Sequence, residues 1–159
     1  MSTEIIMYTD GGASGNPGPG GYGCMLISGK HRKDISQGYK LTTNNRMELL
    51  AVIAGLEALK NPGMNVDIYS DSKYVVDSVQ KGWVFNWQKK GFKKKKNVDL
   101  WQRFLKIYPQ HNVKFHWVKG HANIEGNEIA DRLAVEAYQK GNLLIDEGYE
   151  AEQKNEGLF

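Results

Sequence analysis

The sequence predicts an α/β protein whose mixed β-sheet is packed by helices. Segments with strand patterns occur three times before the first long helical segment, and strand and helix patterns alternate after it. The order is therefore three strands, a helix, a strand, helices, a strand and a helix, which indicates a mixed sheet. The 159 residues contain no internal repeat and no linker, so they fit one domain.

The first half of the chain contains three predicted strands and the clearest helix. Residues 4–9 predict a buried strand that ends at the turn Asp10-Gly11-Gly12, and the glycine- and proline-rich run up to Gly23 predicts a loop. Residues 22–28 and 33–41 predict two further strands joined by a turn. In residues 45–60, apolar side chains recur at three- and four-residue spacing and predict a helix with one apolar face.

The second half continues the alternation and ends in an acidic segment. Residues 66–70 and 113–118 predict strands, and helices are predicted for residues 72–80, 83–89, 100–108 and 125–140. After Gly141 the sequence turns acidic and loses its periodicity. We therefore expect a domain over residues 1–145 and a flexible, partly disordered tail over residues 146–159.

Composition excludes several classes of protein. The single cysteine, Cys24, permits neither an internal disulfide nor a cysteine-cluster zinc site, which suits a reducing compartment. The N-terminal residues lack the pattern of a signal peptide, and no apolar run reaches the length of a bilayer span. These features lead us to expect a soluble, cytoplasmic monomer with no membrane partner.

Positive charge is concentrated in one segment between Asp77 and Asp99. It holds seven lysines with no acidic residue among them, whereas the whole chain has 21 basic and 18 acidic residues. Trp83, Trp87 and Phe92 lie between these lysines, so the segment suits a nucleic acid, whose phosphates bind lysine and whose bases or sugars contact aromatic rings. The alternative is a solubilising helix whose tryptophans fill the core. The lysines are Lys81, Lys89, Lys90, Lys93, Lys94, Lys95 and Lys96.

Four carboxylates are candidates for a metal site. Asp10 ends the first predicted strand, Glu48 lies in the first turn of the long helix, Asp71 follows the strand 66–70, and Asp131 lies on the last helix. Ligand sites form where strand ends and neighbouring helices converge. Clustered carboxylates need a cation to stay ionised, and paired magnesium ions on such ligands can activate water against a phosphodiester.

Each of these carboxylates also has an ordinary structural interpretation. Asp10 can form a turn, Glu48 can pair with Asn45 in a helix cap, and Asp71 can favour the start of a helix. Asp131 can belong to a solvated helix face. Spacing alone leaves open whether the four residues meet.

Two further motifs do not support a cofactor. Residues 18–23 match G-x-G-x-x-G, but a strand pattern follows where the dinucleotide fingerprint requires a helix. His111, His116 and His121 have a spacing that matches no common zinc motif. His116 fits a sheet position, while His121 lies in a loop where it could move protons or aid product release.

Seven segments of the chain, in order, resemble those of bacterial type I ribonuclease H, from about residue 3 to residue 149. They are residues 8–12 (YTDGG), 15–23 (GNPGPGGYG), 42–49 (TTNNRMEL), 70–75 (SDSKYV), 97–101 (NVDLW), 117–122 (WVKGHA) and 127–131 (NEIAD). The resemblance implies a five-stranded mixed sheet flanked by helices. It implies an endonuclease that cleaves the RNA strand of RNA–DNA hybrids, leaving 3′-hydroxyl and 5′-phosphate ends.

The resemblance also implies roles for individual residues. The four carboxylates would hold two Mg²⁺ ions, for which Mn²⁺ could substitute, and His121 would assist turnover. Gly11, Asn16, Asn44 and Asn45 would contact the RNA strand, whose 2′-hydroxyls lie in a wide minor groove. The DNA strand and its phosphates would contact Thr43, Asn97, Trp83, Trp87, Lys89 and Lys90.

The chain departs from the family pattern at two contact positions. Leu41 stands where an arginine often completes the phosphate pocket, with Lys40 beside it, and Lys73 replaces a common glutamine. Three alternative functions remain: a non-catalytic binder of hybrid or double-stranded RNA, a related nuclease or transposase core acting on DNA, and a structural subunit. Retention of all four carboxylates favours the enzyme over a binder, because unneutralised acids weaken phosphate binding.

Overall fold

The computed structural model describes residues 4–120 and 124–157. Within them, a six-stranded sheet has the strand order β5-β4-β1-β2-β3-β6. The two hairpin pairings β1–β2 and β2–β3 are antiparallel, and the remaining three are parallel, so the predicted mixed sheet is confirmed. The two-residue strand Leu143–Leu144 is additional to the five strands that the family resemblance implied. The strands are β1 (Glu4–Ala13), β2 (Gly18–Ser28), β3 (His31–Thr42), β4 (Asn65–Ser70), β5 (Asn112–Trp117) and β6 (Leu143–Leu144).

Six α-helices are assigned within the described ranges. Thr43 caps the first by accepting a hydrogen bond from the Arg46 backbone N–H at 3.3 Å, so the predicted capping role of Glu48 is wrong. Pro109 lies in a short 3-10 helix that follows the fourth. The helices are α1 (Asn44–Glu57), α2 (Lys73–Gln80), α3 (Trp83–Lys89), α4 (Val98–Ile107), α5 (Glu125–Lys140) and α6 (Glu147–Gly157). None of them combines the length and apolar character needed to cross a membrane.

Helices α1 and α5 pack on opposite faces of the sheet. Successive side chains of a strand alternate between faces. Cys24 of β2 lies against Gly55 of α1, whereas a Cβ on the preceding Gly23 would collide with the backbone of Ala130 in α5. The largest apolar cluster joins the α1 face of the sheet to α1, α2 and α4, and Trp101 and Phe104 are fully buried in it.

The glycine-rich run is strand, not the loop that its composition predicted. Strand β1 continues through Asp10 to Ala13, and β2 begins at Gly18, with Gly12 paired opposite Gly21. A Cβ at Gly11 would collide with the backbone of Met47 and Glu48, and one at Gly21 would approach Ala134 of α5. These glycines therefore mark close approach of helices to the sheet rather than turns.

Within the tail expected to be flexible and partly disordered (residues 146–159), Glu147–Gly157 form a helix, so the expectation is wrong there. Strand β6 pairs with β3, and α6 follows it. Asp146, only 6% exposed, accepts hydrogen bonds from the Thr42 hydroxyl at 2.7 Å and from Arg46 Nε at 2.8 Å. Sequence periodicity missed this segment because a buried ion pair with Arg46 of α1, rather than an apolar stripe, attaches it to the rest of the fold. The boundary at residue 145 stays a prediction.

Candidate active site

Three of the four predicted carboxylates converge at one end of the sheet. Asp10 lies on β1, Glu48 on α1 and Asp71 directly after β4, and each offers an oxygen within 4.8 Å of the others. Strands β1 and β4 are parallel neighbours with Tyr8 opposite Tyr69, so the two aspartates follow at adjacent positions. Gly11 brings the backbone of α1 against β1, and this close contact places Glu48 beside Asp10.

Asp131 lies on α5 at the rim of the same cleft. The cleft has a volume of about 520 Å³ and is lined by all four carboxylates, together with Gly11, Asn44, Asn45 and residues of α2 and α5. Asp131 is solvent-exposed, and its contact with Asp10 is one of the influences that raise the pKa of Asp10. The structure thus brings the four predicted acids to one cavity, three of them in a tight group.

Burial and mutual repulsion dominate the electrostatics of this group. Burial, and then the negative charge of Asp71, raise the pKa of Asp10 to about 7, although the Gly11 N–H donates to its Oδ1 at 2.9 Å. Burial and the charge of Asp10 raise the pKa of Glu48 well above its usual range. Such a site stabilises bound positive charge.

The donor set fits a hard divalent cation. Glu48 is 7% exposed, and its Oε1 finds no hydrogen-bond partner among the described residues. Buried carboxyl oxygens are normally paired, and an unpaired one beside two other carboxylates is suited to a metal ligand. The oxygen-only set of Asp10, Glu48 and Asp71 favours magnesium, calcium or manganese over softer metals.

Two of the four residues predicted to contact the RNA strand, Asn16 and Asn44, are linked by a hydrogen bond at the edge of the cleft. Asn44 Oδ1 accepts from the Ala13 N–H at 2.6 Å, and the Asn44 N–H donates to Asn16 Oδ1 at 3.0 Å. These bonds attach the β1–β2 connection to the start of α1. Gly11, Asn44 and Asn45 line the acidic cleft, while Asn16 lies in the neighbouring one.

A second cleft of about 420 Å³ holds both residues predicted to bind a DNA phosphate. Thr43 and Asn97 line it together with Asn16, Asn45 and Lys96, and residues of α6 form its remaining wall. Asn45 borders both clefts, so the two predicted strand contacts adjoin each other. Leu41 is 39% exposed and is not among the lining residues.

Residues 81–96 form a basic protrusion that is anchored by part of its aromatic content. Trp83 is 42% exposed, and Lys81 Nζ lies 5.3 Å from its ring centroid, so the alternative that the tryptophans fill the core is wrong for Trp83. Trp87 is partly buried edge-on against Trp101, and Lys95 Nζ lies 4.9 Å from its ring centroid. All seven lysines of the segment, including Lys89 and Lys90, are exposed.

Sequence reasoning missed an ordered pair at the cleft wall. Lys73 lines the acidic cleft, and its Nζ lies 4.8 Å from the ring centroid of Trp117 at the end of β5. The Trp117 indole N–H in turn donates to the Asp71 backbone carbonyl at 3.3 Å. The sequence places Trp117 in a predicted strand and in the family-like segment 117–122, but it gives no signal of the 45% exposure of this side chain or of its contact with Lys73.

Of the three histidines considered for function, His111 and His116 make structural contacts, and His121 lies outside the described residues. His116 lies in β5 and contacts Asp67 at 2.7 Å, as expected for a sheet residue. His111 Nδ1 accepts from the Met64 N–H at 3.3 Å. His121 falls in residues 121–123, which lie outside the described residues, so its predicted role stays a prediction.

A mixed sheet that carries, at one end, clustered carboxylates suited to divalent cations fits the class of metal-dependent phosphodiester hydrolases. The RNase H family model matches residues 2–139. A ribonuclease H from Trichodesmium erythraeum is 53% identical over 153 residues, covering 93% of this chain and 97% of that protein. One from Desulforamulus reducens is 54% identical over 148 residues, covering 90% and 92%.

Solved structures agree with this assignment. LC9-RNase H1, described as a type 1 RNase H with the type 2 active-site motif, matches with a TM-score of 0.81 and 33% identity, covering 96% of this chain and 81% of that one. LC11-RNase H1, solved in complex with an RNA/DNA hybrid, matches with a TM-score of 0.63 and 33% identity, covering 86% and 97%. The chain belongs to the RNase H family and is a hydrolase of the ribonuclease H type.

Proposed function

We propose that the chain is an endonuclease that hydrolyses the RNA strand of RNA–DNA hybrids with two Mg²⁺ ions, leaving 3′-hydroxyl and 5′-phosphate ends. The observation that carries this proposal is the group of three carboxylates within 4.8 Å, one with a buried, unpartnered oxygen. Mn²⁺, which takes the same oxygen ligands, could substitute.

The four carboxylates would hold the metal ions between them. Bound magnesium would lower the pKa of a water and stabilise the leaving oxygen of the scissile phosphodiester. Glu48 is the buried member of the site and Asp131 its exposed rim, so the scissile phosphate would enter from the α5 side. His121 would move protons or aid product release.

The two adjoining clefts suit the two strands of a hybrid. Gly11, Asn16, Asn44 and Asn45 would face the RNA strand and read its 2′-hydroxyls, which distinguish RNA from DNA. Thr43 and Asn97 would hold a DNA phosphate in the second cleft. The basic protrusion would extend the contact along the DNA strand through Trp83, Trp87, Lys89 and Lys90. The hybrid bound to LC11-RNase H1 supports this choice of substrate.

The remaining parts of the proposal concern the state of the protein in the cell. We infer a cytoplasmic monomer whose catalytic domain spans residues 1–145. The buried, unpaired Cys24 supports a reducing compartment.

The test uses a labelled RNA–DNA hybrid, an RNA duplex and a DNA duplex, each with and without magnesium. We expect cleavage of the RNA strand of the hybrid alone, and only with the metal. Asp10→Asn should abolish cleavage while retaining hybrid binding. Asp34→Asn is the matched control, since it neutralises an exposed carboxylate that pairs with Arg32 on the same strand. Equal cleavage of the DNA duplex would overturn the choice of substrate.

A further inference from the structure

The cleft proposed to hold a DNA phosphate already contains an anionic group of the chain itself. Glu152 of α6 lines this cleft, and its Oε2 accepts a hydrogen bond from the Asn97 backbone N–H at 3.1 Å. A carboxylate and a phosphate both bind backbone N–H groups through anionic oxygens. The donor expected for a substrate phosphate is therefore occupied by an internal carboxylate.

The Asn97 backbone N–H, rather than its side chain, is the group that faces Glu152 in the cleft. The Asn97 side chain is engaged elsewhere, because its Nδ2 donates to the Tyr74 hydroxyl at 3.1 Å and its Oδ1 accepts from Arg46 at 3.4 Å. Asn97 adopts a left-handed conformation with φ of 62° at the start of α4. The backbone N–H is thus the group that Asn97 offers to an anion.

Helix α6 is held firmly enough to deliver this carboxylate. Asp146, at its start, is buried and paired with Arg46, and its Oδ1 accepts from the Tyr149 N–H at 3.2 Å. Tyr149 is 7% exposed, and with Glu152 and Gln153 it forms one wall of the cleft. The acidic segment therefore has a defined place in the fold.

We propose that Glu152 is an internal competitor of the DNA phosphate, so that the hybrid must displace its carboxylate from Asn97 in order to occupy the second cleft. This proposal rests on the proposed function and adds to it a residue that sets the affinity for the DNA strand. The phosphate would replace the Glu152 carboxylate as the acceptor of the Asn97 N–H. The displaced carboxylate would then repel the phosphate unless α6 shifts. Glu152 therefore weakens hybrid binding.

Three variants of α6 separate the effect of position from that of charge. Glu152→Gln removes the charge in the cleft. Glu152→Asp keeps the charge but shortens the side chain by one methylene, which withdraws the carboxylate from the Asn97 N–H. Glu150→Gln removes the same charge from the same helix two residues away, which is nearly the opposite side of a 3.6-residue turn.

The experiment measures binding of a fluorescein-labelled RNA–DNA hybrid in EDTA by anisotropy, with thermal melting of each variant as a check on folding. We expect Glu152→Gln to tighten binding about 5-fold and Glu152→Asp to tighten it about 3-fold, as expected for relief of one charge-assisted contact. Glu150→Gln should stay within about 2-fold of the parent chain, as expected for a half-buried charge that does not line the cleft.

A double variant tests whether the gain in hybrid binding arises in the second cleft. In a Thr43→Ala background the gain from Glu152→Gln should shrink, because both residues act on the same phosphate. If Glu152→Gln and Glu150→Gln bind equally, or if Glu152→Gln binds more weakly than the parent, the proposal is wrong. If the parent chain itself neither binds nor cleaves the hybrid, the proposed function fails instead.

Discussion

Replacing Arg46 by methionine is expected to lower the free energy of unfolding by about 4 kcal/mol, the range found when one partner of a buried ion pair is removed. The Arg46 side chain is 1% exposed and donates to Asp146 and Asp99 through bonds of 2.7–2.9 Å. Most of the loss comes from Asp146, whose side chain is 8% exposed and would be left buried without its counter-charge. The Asp99 side chain is 44% exposed and adds little.

Urea unfolding followed by circular dichroism measures this loss, and the melting temperature should fall by roughly 8–16 °C for a chain of this size. Arg103→Met is the matched control, because its ion pair with Glu57 is half exposed and should contribute less than about 1 kcal/mol. Adding Asp146→Asn to Arg46→Met should restore about half of the loss, since the buried charge is then gone. A loss below about 1 kcal/mol, or no recovery in the double variant, would refute the reasoning.

The ion pair between Arg46 and Asp99 makes the free energy of unfolding depend on pH in the acid range. Burial alone would raise the pKa of Asp99, but the hydrogen bonds and charge of Arg46 hold it below the ordinary value of 3.8. A depressed pKa contributes stability that is present above pH 3.8 and is lost as the pH falls through the folded-state pKa. Arg46→Met should remove this part of the acid-induced loss, as measured by urea unfolding at a series of pH values below 5.

Other predictions concern the acidic cleft, the basic protrusion and the core. Without metal, Glu48→Gln should raise the free energy of unfolding by about 1–2 kcal/mol, because burial and Asp10 raise the pKa of Glu48 and so disfavour the ionised form that the unfolded chain adopts at neutral pH. Mg²⁺ should raise the melting temperature of the parent chain but not of this variant. Replacing Lys89 and Lys90 by alanine should weaken hybrid binding and reduce its salt dependence, whereas the same change at the exposed Lys30 and Lys33 of the β2–β3 hairpin should not. Burial raises the pKa of Cys24 to about 12, so the native chain should not react with a thiol reagent at pH 8 until urea unfolds it.

Local patterns predicted the elements whose apolar faces meet the core. The periodicity of residues 45–60 corresponds to α1 (Asn44–Glu57), whose buried residues include Leu49, Val52 and Ile53. Residues 83–89 and 125–140 agree with α3 and α5 residue for residue. These segments carry their own signal, because each buries side chains at the helical period or is delimited by glycine and proline.

The errors occur where tertiary contacts decide the structure. The glycines that suggested a loop lie in strands, where helices approach the sheet too closely for a Cβ. The local sequence cannot distinguish a glycine required by a turn from one required by close packing. Helix α6 has no apolar stripe, and the ion pair between Arg46 and Asp146 joins residues 100 positions apart. The convergence of Asp10, Glu48 and Asp71 is equally non-local, so spacing could nominate these residues but could not bring them together.

The start of α1 connects the acidic cleft, the second cleft and helix α6. Thr43 lines the second cleft, and Asn45 borders both clefts. Arg46 holds Asp146 at the start of α6, and Glu48 faces the other carboxylates. These groups lie within two turns of one helix, so they cannot move independently by more than side-chain rotation. A shift of α6 that withdrew Glu152 would therefore pull on the same helix that positions Glu48. Under the proposed function, binding of a DNA phosphate in the second cleft should therefore change the positions of the carboxylates that face the RNA strand.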